Sequence, residues 1–405
     1  LLRAYARYMQ QIRISNSQTF IAGTLARHGK LVSLLLQFFD VRFNPERYQS
    51  ERQCEAAQKK IAIEFGSGLD EVPNLSEDRV LRLFLELMQA TTRTNFYQEG
   101  SNGDSNCISL KFDPSQLADL PRPRPVYEIF VYSPQVEGVH LRGGKVARGG
   151  LRWSDRFEDY RTEILGLVKA QQVKNAVIVL VGAKGGFVAK QIHRDADRQE
   201  VQAAGRAAYS CFIRGLLDVT DNFVDGEVIP PKGVIRHDED DYYLVVAPDK
   251  GTATFSDLAN EISNEYGFWM EDGFASGGSY GYDHKKMGIT AKGAWVSVER
   301  HFRELGVNTD TDEFSVVGIG DMAGDVFGNG MLLSRKIRLV AAFNHQHIFL
   351  DPDPDPEASF RERERLFALP GSSWEEYDTG VISEGGGVFS RASKSVPLSQ
   401  PVKEL

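Results

Sequence analysis

Two glycine-rich segments, RGGLR at 148–152 and GAKGG at 182–186, constrain this chain more than any other feature. The stretch they frame, Lys145 to Phe187, reads KVARGGLRWSDRFEDYRTEILGLVKAQQVKNAVIVLVGAKGGF. Asp155 and Glu158 fit the carboxylate form of a capping box and predict a helix start. Phe157, Ile164, Leu167 and Val168 recur at helical spacing and predict an inward face. Gln171 and Lys174 continue that face in three-residue steps, with an amide and an ammonium where an aliphatic is usual. Ala176 to Val181 carries alanine and aliphatics on both faces, as a covered parallel strand does. It runs into a glycine turn bearing Lys184, where absent side chains let backbone and ligand approach closely. Arg148, Gln171, Lys174 and Lys184 are thus aimed at one small positive volume, which suits a dicarboxylate.

The length of 405 residues predicts two or three domains with sizeable cores. A net charge of -9 argues against a nucleic-acid binder, whose footprint is basic. Cys54, Cys107 and Cys211 are scattered without CxxC spacing, which predicts reduced thiols and a cytoplasmic compartment. No apolar run approaches the roughly 18 residues of a membrane span. The chain opens inside a helical pattern without an initiator Met, and the expectation is a piece of a longer polypeptide.

Residues 1–120 read as a helical segment. Leu2, Tyr5, Tyr8 and Met9, then Leu31, Leu34, Leu35, Phe38 and Phe39, keep helical spacing, and Phe43-Asn44-Pro45 punctuates them. A further helix over 76–94 carries Val80, Leu83, Phe84, Leu87 and Met88. These residues predict a scaffold and no chemistry. A polar loop at 95–104 and the stiff connector at 120–126 lead to a first boundary. An α/β domain follows over 121–287, with strands at 126–132 and 139–146 and a helix over 201–220. The acidic run HDEDD at 237–241 reads as a solvated loop rather than a metal site. A strand at 242–247 delivers Asp249 to its C-terminal end, where α/β sheets bind ligands. A Gly/Ser/Tyr linker at 274–286 marks the second boundary. The helix 290–305, strand 314–318, GIGDMAG and strand 337–343 then give a half-Rossmann order over 288–405.

Lys184 is the first catalytic candidate. Cationic neighbours and burial destabilise its proton, so it suits general acid–base work or carbonyl polarisation. GAKGG lacks the spacing and the Ser/Thr of a Walker A loop. Asp249 is the second candidate, a carboxylate able to take and pass protons. GIGDMAG reads as G-x-G-x-x-A, with Gly318 for the turn, Gly320 for diphosphate approach and Ala323 for helix packing; Asp321 and Met322 complete the loop. The acidic ribose ligand expected about 20 residues on is replaced by Asn344 at the strand end, with Asp351 as a substitute. His345 and His347 lack a third ligand and read as structural, so no metal is expected.

RGGLRWSD, VKNAV and VGAKGG, at this spacing, resemble the substrate domain of glutamate dehydrogenases, in the form of the very large bacterial NAD-dependent type. The resemblance covers roughly residue 120 to the end. It implies an amino-acid dehydrogenase-like α/β substrate domain, an incomplete Rossmann-type domain and a preceding helical segment. It implies that Gln171 and Lys174 hold the substrate α-carboxylate. Arg148 stands where the side-chain carboxylate is held, a position usually lysine in the small hexameric enzymes. It further implies NAD as cofactor, L-glutamate, 2-oxoglutarate and ammonia as reactants, and a homo-oligomer. Two alternatives stay open: a dehydrogenase of another amino acid on the same scaffold, and a catalytically silent assembly or regulatory piece.

Overall fold

The structure, a computed structural model, describes residues 1–47, 50–98, 107–174, 181–193, 196–281 and 283–405. Five helices open it: α1 (Leu2–Gln11), α2 (Gln18–Arg27), α3 (Gly29–Phe43), α4 (Glu51–Leu69) and α5 (Leu75–Ala90). Ser17, Ser50 and Asn74 cap α2, α4 and α5 by accepting backbone N–H groups their first turns cannot pair. The helix expected over 76–94 stops at Ala90. Thr91, Thr92 and Thr94 are β-branched and enter strand β1 (Thr91–Thr94) instead. Most of the polar loop expected at 95–104 lies outside the described residues.

Strands β2 (Ile108–Phe112), β3 (Tyr127–Tyr132) and β4 (Val136–Arg142) continue an antiparallel meander. Strand β5 (Gly150–Trp153), helix α6 (Tyr160–Lys174), strand β6 (Ala183–Ala189) and helix α7 (Arg198–Leu217) come next. The hairpin β7 (Asn222–Val224) and β8 (Glu227–Ile229), strand β9 (Ala247–Pro248) and helix α8 (Ser256–Glu265) follow. The seven-stranded sheet has the order β1-β2-β3-β4-β6-β5-β9. β6 is antiparallel to β4 and parallel to β5, and β5 is parallel to β9.

Alternation along the strands sends side chains to two cores. Phe130, Val139 and Leu141 pack with α1–α6, while Ile129, Val131 and Phe187 pack with α7 and α8. Tyr8 of α1 stacks on Phe112 of β2 with centroids 4.4 Å apart. The opening helices therefore cover one face of the sheet. Residues 1–120 and the sheet behind them form one compact unit, Leu1–Gly281, rather than two.

Helix α6 begins at Tyr160, five residues after the expected start, and Asp155 with Glu158 forms no capping box. Phe157 is exposed, while Tyr160, Ile164, Leu165 and Val168 supply the inward face. Of the strand expected at Ala176–Val181, all but Val181 lies outside the described residues. The strand expected at 242–247 reduces to β9. Leu244, Val245 and Val246 are buried, and Val246 N donates to Phe274 O at 2.9 Å rather than to a strand. The α7 prediction holds: Asp197 and Glu200 form its capping box, and Tyr209, Phe212, Ile213, Leu216 and Leu217 are buried.

HDEDD is a solvated loop only in part: Glu239 and Asp240 are exposed, whereas Asp241 is buried and Asp238 largely so. Lys111 Nζ lies 2.6 Å from Asp238 and 2.7 Å from Asp241. Arg142 holds Asp241, and Arg93 holds Asp221 through two bonds of 2.8 and 3.0 Å. Burial raises the Asp241 carboxyl's proton affinity, but Arg142 and Lys111 outweigh it and hold its pKa well below the ordinary range.

The second unit, Tyr282–Leu405, holds α9 (His284–Met287), α10 (Ile289–Glu304), β10 (Phe314–Ile319), α11 (Asp325–Gly330) and β11 (Ile337–Phe343). Strand β12 (His347–Leu350), helix α12 (Pro356–Ala368), strand β13 (Gly387–Ser390) and helix α13 (Gln400–Lys403) complete it. β10 and β11 are parallel, as the half-Rossmann order predicts, while β12 and β13 add antiparallel strands. The DPDPDP segment ends as the cap of α12, where Asp355 accepts from Ala358 N. Among the described residues no helix is long and apolar enough to cross a membrane.

Candidate active site

The GAKGG segment is a strand start rather than a glycine turn. Lys184 pairs with Leu141 of β4 inside β6. The glycines serve contact between elements. A Cβ on Gly149 would sit 1.4 Å from Ala183 O, one on Gly185 2.3 Å from Leu151, and one on Gly186 2.4 Å from Ile164 of α6. Without them β5, β6 and α6 could not close on one another. Lys184 and Gly186 share a strand face by alternation, the face that α6 covers.

Asp249 follows β9 directly. Its backbone N–H donates to Thr252 Oγ1 at 3.0 Å, and Thr252 in turn donates to Leu151 O at 2.8 Å. Gly251, with φ of 83°, makes the turn beneath Trp153. The Asp249 side chain does not cap the next helix, whose cap position is Phe255. It faces Lys184 instead, with Nζ 2.9 Å from Oδ2. Both side chains are largely shielded, at 15% and 20% exposure. Burial, the largest influence, raises the Asp249 pKa. Lys184, the Lys250 N–H and Arg152 outweigh it, and the pKa lies below the usual carboxylate value. The two candidates meet, but not at equivalent strand ends: Lys184 opens β6 and Asp249 leaves β9.

The remaining expected ligands cluster less completely. Ala183 N donates to Arg148 O at 3.0 Å, and Arg148 pairs with Gly182 as an isolated bridge. The Gln171 side chain lies against that glycine, since a Cβ on Gly182 would come 2.4 Å from its Oε1. Gln171 Oε1 is buried without a hydrogen-bond partner. Arg148 is exposed rather than buried. Lys174 closes α6, and its side chain lies outside what is described.

Arg152 was not anticipated. Its Nε lies 3.5 Å from Asp249 Oδ2, and its Nη1 donates to Glu163 Oε1 at 2.9 Å. The signal lay in RGGLR itself, because two-residue alternation puts 148, 150 and 152 on one face.

In the second unit, a cavity of about 610 Å³ opens at the C-terminal ends of β10 and β11, lined in part by Gly320, Asp321, Asn344 and Arg391. A Cβ on Gly318 would sit 2.4 Å from Phe327 and one on Gly320 2.9 Å from it, so both glycines make room for this side chain of α11, and Gly320 adopts φ of 140°. Met322 is a core residue, Ala323 is half-buried, and α11 has only six residues. Asn344 is engaged in the fold: Oδ1 accepts from Gln346 N and His347 N, and Nδ2 donates to Asp321 Oδ2 at 3.0 Å. Asp351 is fully buried and accepts from Ser383, which removes it as a ribose ligand. His347 bonds Ser373 at 2.9 Å. Among the described residues no group of three His, Cys, Asp or Glu side chains is arranged to hold a metal ion.

Residues 64–405 match the family described as bacterial NAD-glutamate dehydrogenase, catalytic domain. Residues 1–45 match one described as glutamate dehydrogenase, helical motif 3. A Halomonas elongata protein named NAD-specific glutamate dehydrogenase is 63% identical over 406 residues, covering 100% of this chain and 25% of that protein. Proteins of the same name from Pseudomonas aeruginosa and Mycobacterium tuberculosis are 61% and 57% identical, again over 100% of this chain and 25% of theirs. The chain thus spans about a quarter of the length of these curated relatives.

Proposed function

This chain belongs to the bacterial NAD-glutamate dehydrogenase catalytic-domain family, and on that premise we propose that it carries the core of an NAD-dependent oxidative deamination. L-glutamate is converted to 2-oxoglutarate and ammonia. The observation that supports this most is the shielded contact of Lys184 with Asp249 at 2.9 Å, with Arg152 3.5 Å from the same carboxylate oxygen.

In this reading residues 121–287 bind the substrate and residues 288–405 bind the nucleotide. Gln171 and Lys174 hold the α-carboxylate, and Arg148 holds the side-chain carboxylate. Asp249, kept as a carboxylate, takes a proton from the substrate ammonium. The Gly318–Ala323 loop would hold NAD, which would supply the hydride acceptor for the α-carbon. Lys184 then activates the water that adds to the imine, and Asp249 passes protons until ammonia leaves. Asn344 would reach a ribose only by exchanging one of its present bonds. The same reading makes the enzyme a cytoplasmic homo-oligomer, which light scattering on the full polypeptide would check.

The deciding experiment is an amino-acid panel of NAD reduction rates on the full polypeptide, wild type against Arg148→Met. Losing a charge-assisted hydrogen bond costs about 1.5–3 kcal/mol, so kcat/KM for glutamate should fall roughly tenfold or more. Norvaline and norleucine, which lack the second carboxylate, should lose much less. Equal losses on all three would remove Arg148 from the substrate site.

A further inference from the structure

Asp249 is flanked by two cations rather than one. Lys184 Nζ lies 2.9 Å from Asp249 Oδ2, and Arg152 Nε lies 3.5 Å from the same oxygen. The two are held differently. Lys184 ends a flexible four-carbon stem. Arg152 is tied down, its Nη1 donating to Glu163 Oε1 at 2.9 Å while Glu163 Oε2 accepts from Ser154 Oγ at 2.6 Å. Arg152 Nε is itself a buried donor without a hydrogen-bond partner, so it is free to tighten onto Asp249. Gly150 permits the juxtaposition. A Cβ there would lie 2.8 Å from Pro248 O and 3.1 Å from the Asp249 Cβ, forcing β5 and β9 apart.

We infer that Arg152 is a positioning residue for the reaction, keeping Asp249 ionised and in place whenever Lys184 turns to the substrate, with Glu163 and Ser154 anchoring it. The inference rests on the proposed roles of Lys184 and Asp249. Lys184 cannot serve both partners at once: engaging the substrate or giving up its proton withdraws a hydrogen bond and a charge from Asp249. A half-buried carboxylate left without a cation binds a proton more readily and stops accepting one. A guanidinium stays charged throughout. The groups facing Asp249 are Lys184 from β6, Arg152 from β5, and the Lys250 N–H and Thr252 of its own loop. Glu163 of α6 faces Arg152. Lys184 and Arg152 are the side-chain cations of this set, and only Arg152 is free of a chemical task.

The test is the pH profile of kcat for the full polypeptide carrying Arg152→Met, Arg152→Lys or Glu163→Gln, each with a thermal melt. Asp249 must be a carboxylate to accept a proton, so losing a cation that lowers its pKa moves the acid limb to higher pH. Arg152→Met should lower kcat roughly tenfold more on the acid limb than on the plateau, the scale of one adjacent opposite charge, with little change in KM. Arg152→Lys should return the limb toward wild type. Glu163→Gln, which leaves the charge but unties it, should shift the limb less in the same direction. An unmoved limb in a folded Arg152→Met protein overturns the inference. If that protein does not fold, an unmoved limb in Glu163→Gln does so alone. Wild-type kcat in Asp249→Asn would instead overturn the reading of the Lys184–Asp249 pair, whatever Arg152 does.

Discussion

Lys184 and Asp249 are 65 positions apart in sequence and share one hydrogen bond, so each can be removed separately. Lys184→Ala should abolish turnover while leaving the first unit folded, because the ammonium acts on substrate and its one carboxylate partner is only partly buried. Circular dichroism with an activity assay checks this, and near-normal turnover in a folded variant would end its catalytic assignment. Asp249→Asn is nearly isosteric and removes proton acceptance alone. The expected result is a large fall in kcat with KM almost unchanged. A lowered melting temperature with normal kcat would make Asp249 a turn residue. Sequence pointed to both side chains, since each followed an aliphatic run and had a glycine within two residues. It could not show that Arg152 joins them, because RGGLR offers two arginines and the turn drew attention to the first.

At the scale of elements, periodicity made α7, α10, β10 and β11 legible, since long amphipathic or aliphatic patterns leave few alternatives. Glycine was harder to interpret. GAKGG carries turn composition, yet its glycines make room for Leu151 and Ile164 beside a regular strand. The distinction depends on neighbours from β5 and α6, which local sequence does not name. TTRT failed for the opposite reason, because a strong α5 pattern ran into it and concealed a strand that needs β2 as partner. These glycines yield a contrast. A methyl group added at Gly166 of α6 would meet nothing within 4 Å, so Gly166→Ala should stabilise by about 0.5–1 kcal/mol. Gly186→Ala must push Ile164 aside and should destabilise by about 1–3 kcal/mol. Urea unfolding of the two variants decides it, and equal effects would mean that α6 does not sit tightly on β6.

Across the whole first unit, distant parts of the chain are joined by buried charge. Arg93 of β1, Lys111 of β2 and Arg142 of β4 meet Asp221, Asp238 and Asp241 from the segment that leads toward β9. The acidic run looked solvated because its partners lie roughly 100 or more positions earlier, beyond any local pattern. Arg236 also reaches Asp221 at 3.1 Å, and the cost of desolvating these charges offsets most of their attraction, so the network gives little net stability while intact. Breaking it is another matter. Asp241→Asn would leave Arg142 and Lys111 short of an anion and should cost about 3–5 kcal/mol near neutral pH. The pH dependence has a definite sign. Asp241 has a folded-state pKa below its unfolded one, so its contribution is present above the unfolded value, about 3.9, and fades as pH falls through the folded value. The stability gap between wild type and Asp241→Asn should therefore narrow below about pH 4, as the unfolded wild-type chain takes up a proton that folded Asp241 still refuses, and it should close only once folded Asp241 is itself neutral. Denaturant melts of both proteins from pH 7 downward measure that gap. A gap constant with pH would show that Asp241 acts through shape and hydrogen bonding rather than through its charge.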